Sequence, residues 1–165
     1  MRDDASAFDL PDLPPDLRFE RLPRTDDAFD FAFAVKRAAM GPHIVARWGW
    51  DEDFQRDFHR RRFDEKPFFR IAHRGVSVGT LALTRYPDHI LFDDFYLLPA
   101  WHRRGIGSAI LRHCLARADA LNLPVRLRHL QWNPVGALYR RHGFAEVGRT
   151  DIHCLLERPP GAGPA

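Results

Sequence analysis

Lysine is nearly missing from this chain. Lys36 and Lys66 are the only two in 165 residues, and arginine supplies almost all the positive charge. Cysteine is equally scarce: Cys114 and Cys154 stand apart, outside any C-x-x-C. That excludes a disulfide framework and fits a reduced, cytoplasmic setting. No uninterrupted apolar run approaches the roughly 20 residues of a membrane span. The opening Met1-Arg2-Asp3-Asp4 lacks the apolar stretch of a signal peptide. The nine histidines show no metal-ligand spacing, so no metal is expected. No internal repeat is found.

The composition, 45% hydrophobic and 28% charged, is that of a soluble globular protein, and the length is that of one domain with a real core. The net charge of +3 is unevenly spread: residues 1–16 carry −4, which leaves +7 on the rest. A basic body suits an anionic ligand. Residues 1–16, acidic and proline-bearing, read as a flexible tail, and 159–165 as a disordered C-terminal tail. Between them strands are expected at 17–22, 68–74, 76–85, 89–98, 125–130, 144–148 and 152–157. Helices are expected at 26–40, 52–63, 107–121 and 134–142. Thr25 and Asp51 are the expected N-caps, and Gly41-Pro42 is the expected end of the first helix. This alternation implies a single-domain mixed α/β sheet. The strand ending near Leu98, the long helix and the strand at 125–130 form a right-handed β-α-β unit.

Within that unit, Asp93-Asp94-Phe95-Tyr96-Leu97-Leu98-Pro99 leads into His102-Arg103-Arg104-Gly105-Ile106-Gly107-Ser108. A strand feeding a glycine turn that opens a helix presents free N–H groups and a positive dipole to a phosphate. A dinucleotide fingerprint is excluded because Ile110 stands where the third small residue belongs. A Walker loop is excluded because its lysine is missing. The bland alternative is a turn whose glycines serve geometry alone.

Downstream comes Asn133-Pro134-Val135-Gly136-Ala137-Leu138-Tyr139-Arg140-Arg141-His142-Gly143-Phe144. The turn and this run, in order and separated by one helix and one strand, resemble the GNAT superfamily of acetyl-CoA-dependent N-acetyltransferases over residues 90–148. His102 departs from the Gln or Arg usual at its position. The resemblance implies an α/β fold with a mixed, mostly antiparallel sheet of about six to seven strands and about four helices, spanning 17–158. It implies acetyl-CoA as cosubstrate, with a small-molecule amine or a peptide or protein amine as acceptor; family members are often dimers.

The resemblance also implies roles. Arg103, Arg104, Gly105, Ile106, Gly107 and Ser108 wrap the pyrophosphate; for the two arginines the alternative is a solvated face. Phe95, Tyr96 and Leu97 border the pantetheine, with an N–H near Leu97 polarising the thioester carbonyl. Asn133 contacts the pantetheine or caps the following helix. Tyr139 donates to the leaving sulfur, or is a core tyrosine. Asp94 is the favoured general base, against a paired structural carboxylate; strand alternation places Asp93 on the opposite face. Asp93, Glu52, Asp51, His129 or a water chain are the further base candidates. Trp48, Trp50, Phe54, Phe58 and Phe63 pack in the core or line an acceptor pocket, to which Asp51, Glu52 and Asp53 would attract a cationic amine. Two rival functions are an inactive acetyl-CoA-binding regulatory module and a basic nucleic-acid-binding face formed by Arg60–Arg62, Arg103, Arg104, Arg126, Arg128, Arg140 and Arg141. No nucleic-acid motif supports the second.

Overall fold

A computed structural model of the chain describes residues 8–163. The elements run β1 (Leu17–Arg21), α1 (Asp26–Trp48), α2 (Glu52–Glu65), β2 (Phe68–His73), β3 (Val76–Arg85) and β4 (Ile90–Leu97). They continue with a 3₁₀ turn (Pro99–Trp101), α3 (Ile106–Ala120), β5 (Val125–Leu130), α4 (Gly136–Arg141), β6 (Ala145–Arg149) and β7 (His153–Arg158). The strands form one seven-stranded sheet in the order β1-β2-β3-β4-β5-β7-β6. Only β4 and β5 pair in parallel; every other neighbour is antiparallel. This is the mixed, mostly antiparallel sheet expected from the sequence.

Two clusters of apolar side chains hold the layers together. One joins α3 and Tyr139 of α4 to one face of the sheet, through Ile110, Leu111, Leu83, Phe92 and Leu127. The other joins α1 and α2 to the opposite face, through Phe29, Phe33, Phe63, Phe68 and Ala82. Thr25 caps α1 by accepting from the Ala28 N–H, and Asp51 caps α2 by accepting from the Phe54 N–H.

Three expectations need correction. First, α1 does not stop at Gly41-Pro42 but continues to Trp48. A proline costs a helix interior about 3 kcal/mol, and contacts beyond the helix offset that. Ile44 is buried, Trp132 Nε1 donates to the His43 carbonyl at 3.0 Å, and Trp48 meets Trp132 edge-on at 5.2 Å. Second, residues 8–16 are packed rather than loose; the rest of that expected tail lies outside the described residues. Phe8 and Leu10 enter the same cluster as α3, and Asp12 accepts from the Phe19 N–H. The charges of the segment stay outside while two apolar side chains are removed from water. Third, the described part of the C-terminal segment is tied down. Asp119 accepts from the Gly161 N–H, and Arg158 donates to the Ala162 carbonyl.

One irregularity positions the site. β4 and β5 are in register only at Ile90–Val125 and Leu91–Arg126. Beyond those pairs the strands part, and the second half of β4 has lost its neighbour on that edge.

Candidate active site

The glycine turn lies where β4 hands over to α3. Arg103 and Gly105 both adopt positive φ, 59° and 78°. No side chain caps the start of α3 at Gly105. The first N–H groups of the helix therefore face outward from a left-handed turn, the concavity that binds anions. Arg104 lies over the Trp101 ring, 5.0 Å from its centroid. His102 does not reach into this concavity; its Nε2 sits 2.7 Å from the Leu97 carbonyl. The residue that departs from the family pattern thus ties the turn to the end of β4.

Leu97 stands opposite Gly79. The neighbouring Leu98 N–H donates to the Val78 carbonyl. That places Leu97 at a position whose own N–H and C=O point away from β3, toward the gap left by β5. Gly79 permits the close approach: a Cβ there would lie 2.1 Å from the Tyr96 oxygen.

A bulge interrupts β4 at Asp94. Ala82 pairs with Asp93, but Thr80 pairs with Tyr96, and Asp94 has φ 46°. The extra residue overturns the expected alternation. Asp93 and Asp94 face the same side, toward α2, because a bulge adds one residue without crossing the sheet. Arg62 of α2 binds both, through Nη2 at 2.7 Å to Asp93 and 2.8 Å to Asp94, and its Nε reaches Asp94 at 3.1 Å. Lys66 closes the cluster on Asp93. Tyr96 donates to Asp94 at 3.3 Å. Burial pushes the Asp93 carboxyl up, but Arg62 and Lys66 outweigh it and hold the group below the usual carboxylate range. Burial opposes the charge of Arg62 too, yet Asp94 and Asp93 hold its guanidinium firmly protonated.

Between the parted strands and the α1/α2 pair lies a cavity of about 530 Å³. Among its walls are Asp93, Asp94, Phe95, Tyr96, Asn133 and Tyr139. The residues singled out in the sequence thus fall into two places: Arg103–Ser108 at the turn, and Asp94, Phe95, Tyr96, Asn133 and Tyr139 around this cavity. Tyr139 is 6% exposed, and its hydroxyl has no hydrogen bond among the described residues. Burial, then the charge of Asp93, raise its pKa well above that of a free phenol. It is a donor at every working pH. Asn133 accepts from the Val135 N–H at 3.0 Å, capping the turn into α4, and also lines the cavity. His129 packs against Gly136, where a Cβ would meet its ring at 2.8 Å. Its Nδ1 is engaged with the Leu130 carbonyl.

The aromatic residues divide. Phe63 is core, and Trp50 packs against the core. Trp48, Phe54 and Phe58 remain 54%, 59% and 36% exposed and line the cavity. Of the acidic trio, only Asp51 reaches the cavity wall. Glu52 is held by Arg37 and by the Trp50 Nε1–H. Four residues of the wall or its support were missed in the sequence: Lys36, Gln55, Arg62 and Lys66. Lys36 left a signal, since it falls at helical spacing with Ala28, Phe29, Ala32 and Phe33 on the buried face of α1. Four of the nine arginines of the postulated basic face meet carboxylates: Arg60 on Asp26, Arg62 on Asp93 and Asp94, Arg126 on Glu157, and Arg140 on Glu146.

A family model described as an acetyltransferase (GNAT) domain matches residues 64–146. No curated protein sequence matches the chain. Several solved structures share its fold. The PaiA N-acetyltransferase of Thermoplasma acidophilum, in complex with coenzyme A, aligns with TM-score 0.68 at 15% identity, covering 87% of this chain and 98% of that one. The ribosomal-protein-S18-alanine N-acetyltransferase of Escherichia coli aligns with TM-score 0.63 at 17% identity, covering 90% and 96%. The N-acetylglutamate synthase of Neisseria gonorrhoeae, with coenzyme A and L-arginine, aligns with TM-score 0.60 at 14% identity, covering 90% of this chain and 34% of that one.

Proposed function

This chain belongs to the GNAT acetyltransferase family, and on that premise we propose that it transfers an acetyl group from acetyl-CoA to a primary amine by direct attack in a ternary complex. The observation that carries the reading is the parting of β4 from β5, with an uncapped left-handed turn at its outer end and an unengaged phenol beside it.

The residues fit the donor. Arg103–Ser108 offer N–H groups and charge to the pyrophosphate. Phe95, Tyr96 and Asn133 border the pantetheine arm. The Leu97 N–H, turned into the gap, donates to the thioester carbonyl and stabilises the charge that grows on it. The amine nitrogen forms its bond to the carbonyl carbon as the C–S bond breaks. Tyr139 meets the departing sulfur. Its raised pKa makes full proton transfer to a thiolate more uphill than for a free phenol, so a hydrogen bond is its contribution.

The amine must arrive neutral. A group of pKa about 10.4 is only roughly 0.04% neutral at pH 7, a deficit of about 4–5 kcal/mol. Asp94 accepts that proton, directly or through a water, and its carboxylate gives the incoming ammonium an anionic neighbour. Its engagement with Arg62 and Tyr96 fixes where that charge stands.

Thiol release from acetyl-CoA with a panel of amines, amino acids and peptides tests the reading. Tyr139→Phe is expected to lower kcat at least about tenfold. Acetyl-CoA binding without amine-dependent thiol release from any acceptor would instead support a regulatory binder.

A further inference from the structure

The acceptor side of the cavity holds a buried cation without a bonded counter-ion. Lys36 projects from α1 into the cavity wall and is 5% exposed. Its Nζ donates to the neutral Gln55 Oε1 at 3.2 Å and lies 4.9 Å from the Phe58 ring centroid. Among the described residues no carboxylate lies in ion-pair contact with it. Asp94 acts on it through space without ion-pair contact, its oxygens accepting from Arg62 and Tyr96. Lysine is almost never buried without a partner, and a buried charge calls for a counter-charge.

We propose that Lys36 anchors a carboxylate subsite, so that the acceptor is an amine that also bears a carboxylate on an apolar body, as an apolar amino acid does. The walls around Lys36 match such a body: Met40, Ile44, Trp48, Phe54 and Phe58. Asp94, on the bulge of β4 and in the wall of the same cavity, supplies the complement for the amine. A second cation, Arg128, lines the same cavity, its side chain without a hydrogen bond or ion pair among the described residues. Around the Lys36 ammonium itself the walls are apolar, which suits one carboxylate held by one charge. The neighbouring apolar groups lower the Lys36 pKa to about 8 through burial, the state an arriving anion reverses.

The identity of the acceptor rests on the acetyl-transfer reading; the anion subsite does not. Calorimetry on the full chain, with and without saturating coenzyme A, compares N-acetyl-L-tryptophan, N-acetyl-L-phenylalanine and N-acetyl-L-leucine with their carboxamides. At least one acid is expected to bind tenfold or more tighter than its amide. Lys36→Met is expected to bring the pair within twofold while coenzyme A affinity holds. Equal binding of every acid and amide, no binding of any acid, or an acid preference that survives Lys36→Met overturns the subsite. Failure of coenzyme A to bind overturns the acetyl-transfer reading and leaves the acid-amide comparison to decide the subsite. Should the variant not fold, ¹⁵N NMR of the Lys36 amine in the unaltered chain decides. Its titration midpoint rises with acid and not with amide; an unmoved midpoint overturns the proposal. Kinetics separate an anchor from a base. Lys36→Met should lower kcat/KM for tryptophan at least tenfold more than for tryptamine, and an equal loss on both contradicts an anchor.

Discussion

At the turn into α3 the site is made of backbone: two left-handed residues, an uncapped helix start, and a strand whose N–H groups face a gap. On the α1/α2 side it is made of side chains: the Arg62–Asp93–Asp94–Lys66 cluster and the buried ammonium of Lys36. A backbone site needs few residue types, because its N–H groups are common to nearly every residue and a glycine such as Gly105 takes the left-handed conformation without a steric cost. A side-chain site can be built from many combinations, each stable only when its charges are matched. The donor half therefore rests on one short stretch of chain, whereas the acceptor half joins side chains from α1, α2 and β4.

The comparison can be broken first at Arg62. Arg62→Met leaves two carboxylates buried against one lysine and is expected to cost about 3–5 kcal/mol in urea denaturation. Adding Asp93→Asn and Asp94→Asn should restore at least half of the loss. A triple variant no more stable than the single one would mean that the cluster holds α2 by packing rather than by charge.

The acid limb of stability is the next test. His59 is fully buried among Phe29, Phe33, Phe63 and Phe68, and neither ring nitrogen has a partner. Burial, then the charges of Lys36, Arg62 and Arg60, lower its pKa to about 3. The unfolded chain binds this proton below pH 6.5 and the folded chain does not. Stability is thus present above that value and falls as the pH drops toward 3, by at most about 5 kcal/mol. His59→Phe should flatten the Tm profile across this window. An unchanged slope would place the acid sensitivity elsewhere.

Gly79→Ala probes the backbone half. A Cβ 2.1 Å from a carbonyl oxygen forces β3 and β4 apart, with an expected loss of about 1–3 kcal/mol by thermal denaturation. A neutral result would show that the strand end yields, and that the Leu97 N–H is not rigidly aimed.

The same division explains what could be read beforehand. The element order, the caps Thr25 and Asp51, and the turn before α3 follow from local rules, since each depends on neighbours within a few positions. The bulge at Asp94 does not, because its stability comes from Arg62, thirty-two residues earlier. Nor does the passage of α1 through Pro42, which depends on Trp132 far downstream. Reading the parted strands took the pairing of β4 with β5, a relation no local pattern encodes.

Two glycines allow the donor seat to be isolated from mere strain. Gly75, in the turn between β2 and β3, and Gly105 share nearly the same φ, 80° and 78°, and at both a Cβ meets nothing within 4 Å. Alanine should cost each a similar 1–2 kcal/mol of backbone strain. The decisive measurement is the acetyl-CoA dissociation constant of the unaltered chain, Gly75→Ala and Gly105→Ala. The expected result is binding unchanged in Gly75→Ala and at least tenfold weaker in Gly105→Ala. No binding by the unaltered chain, or equal affinities in the two variants, would contradict a pyrophosphate seat at this turn.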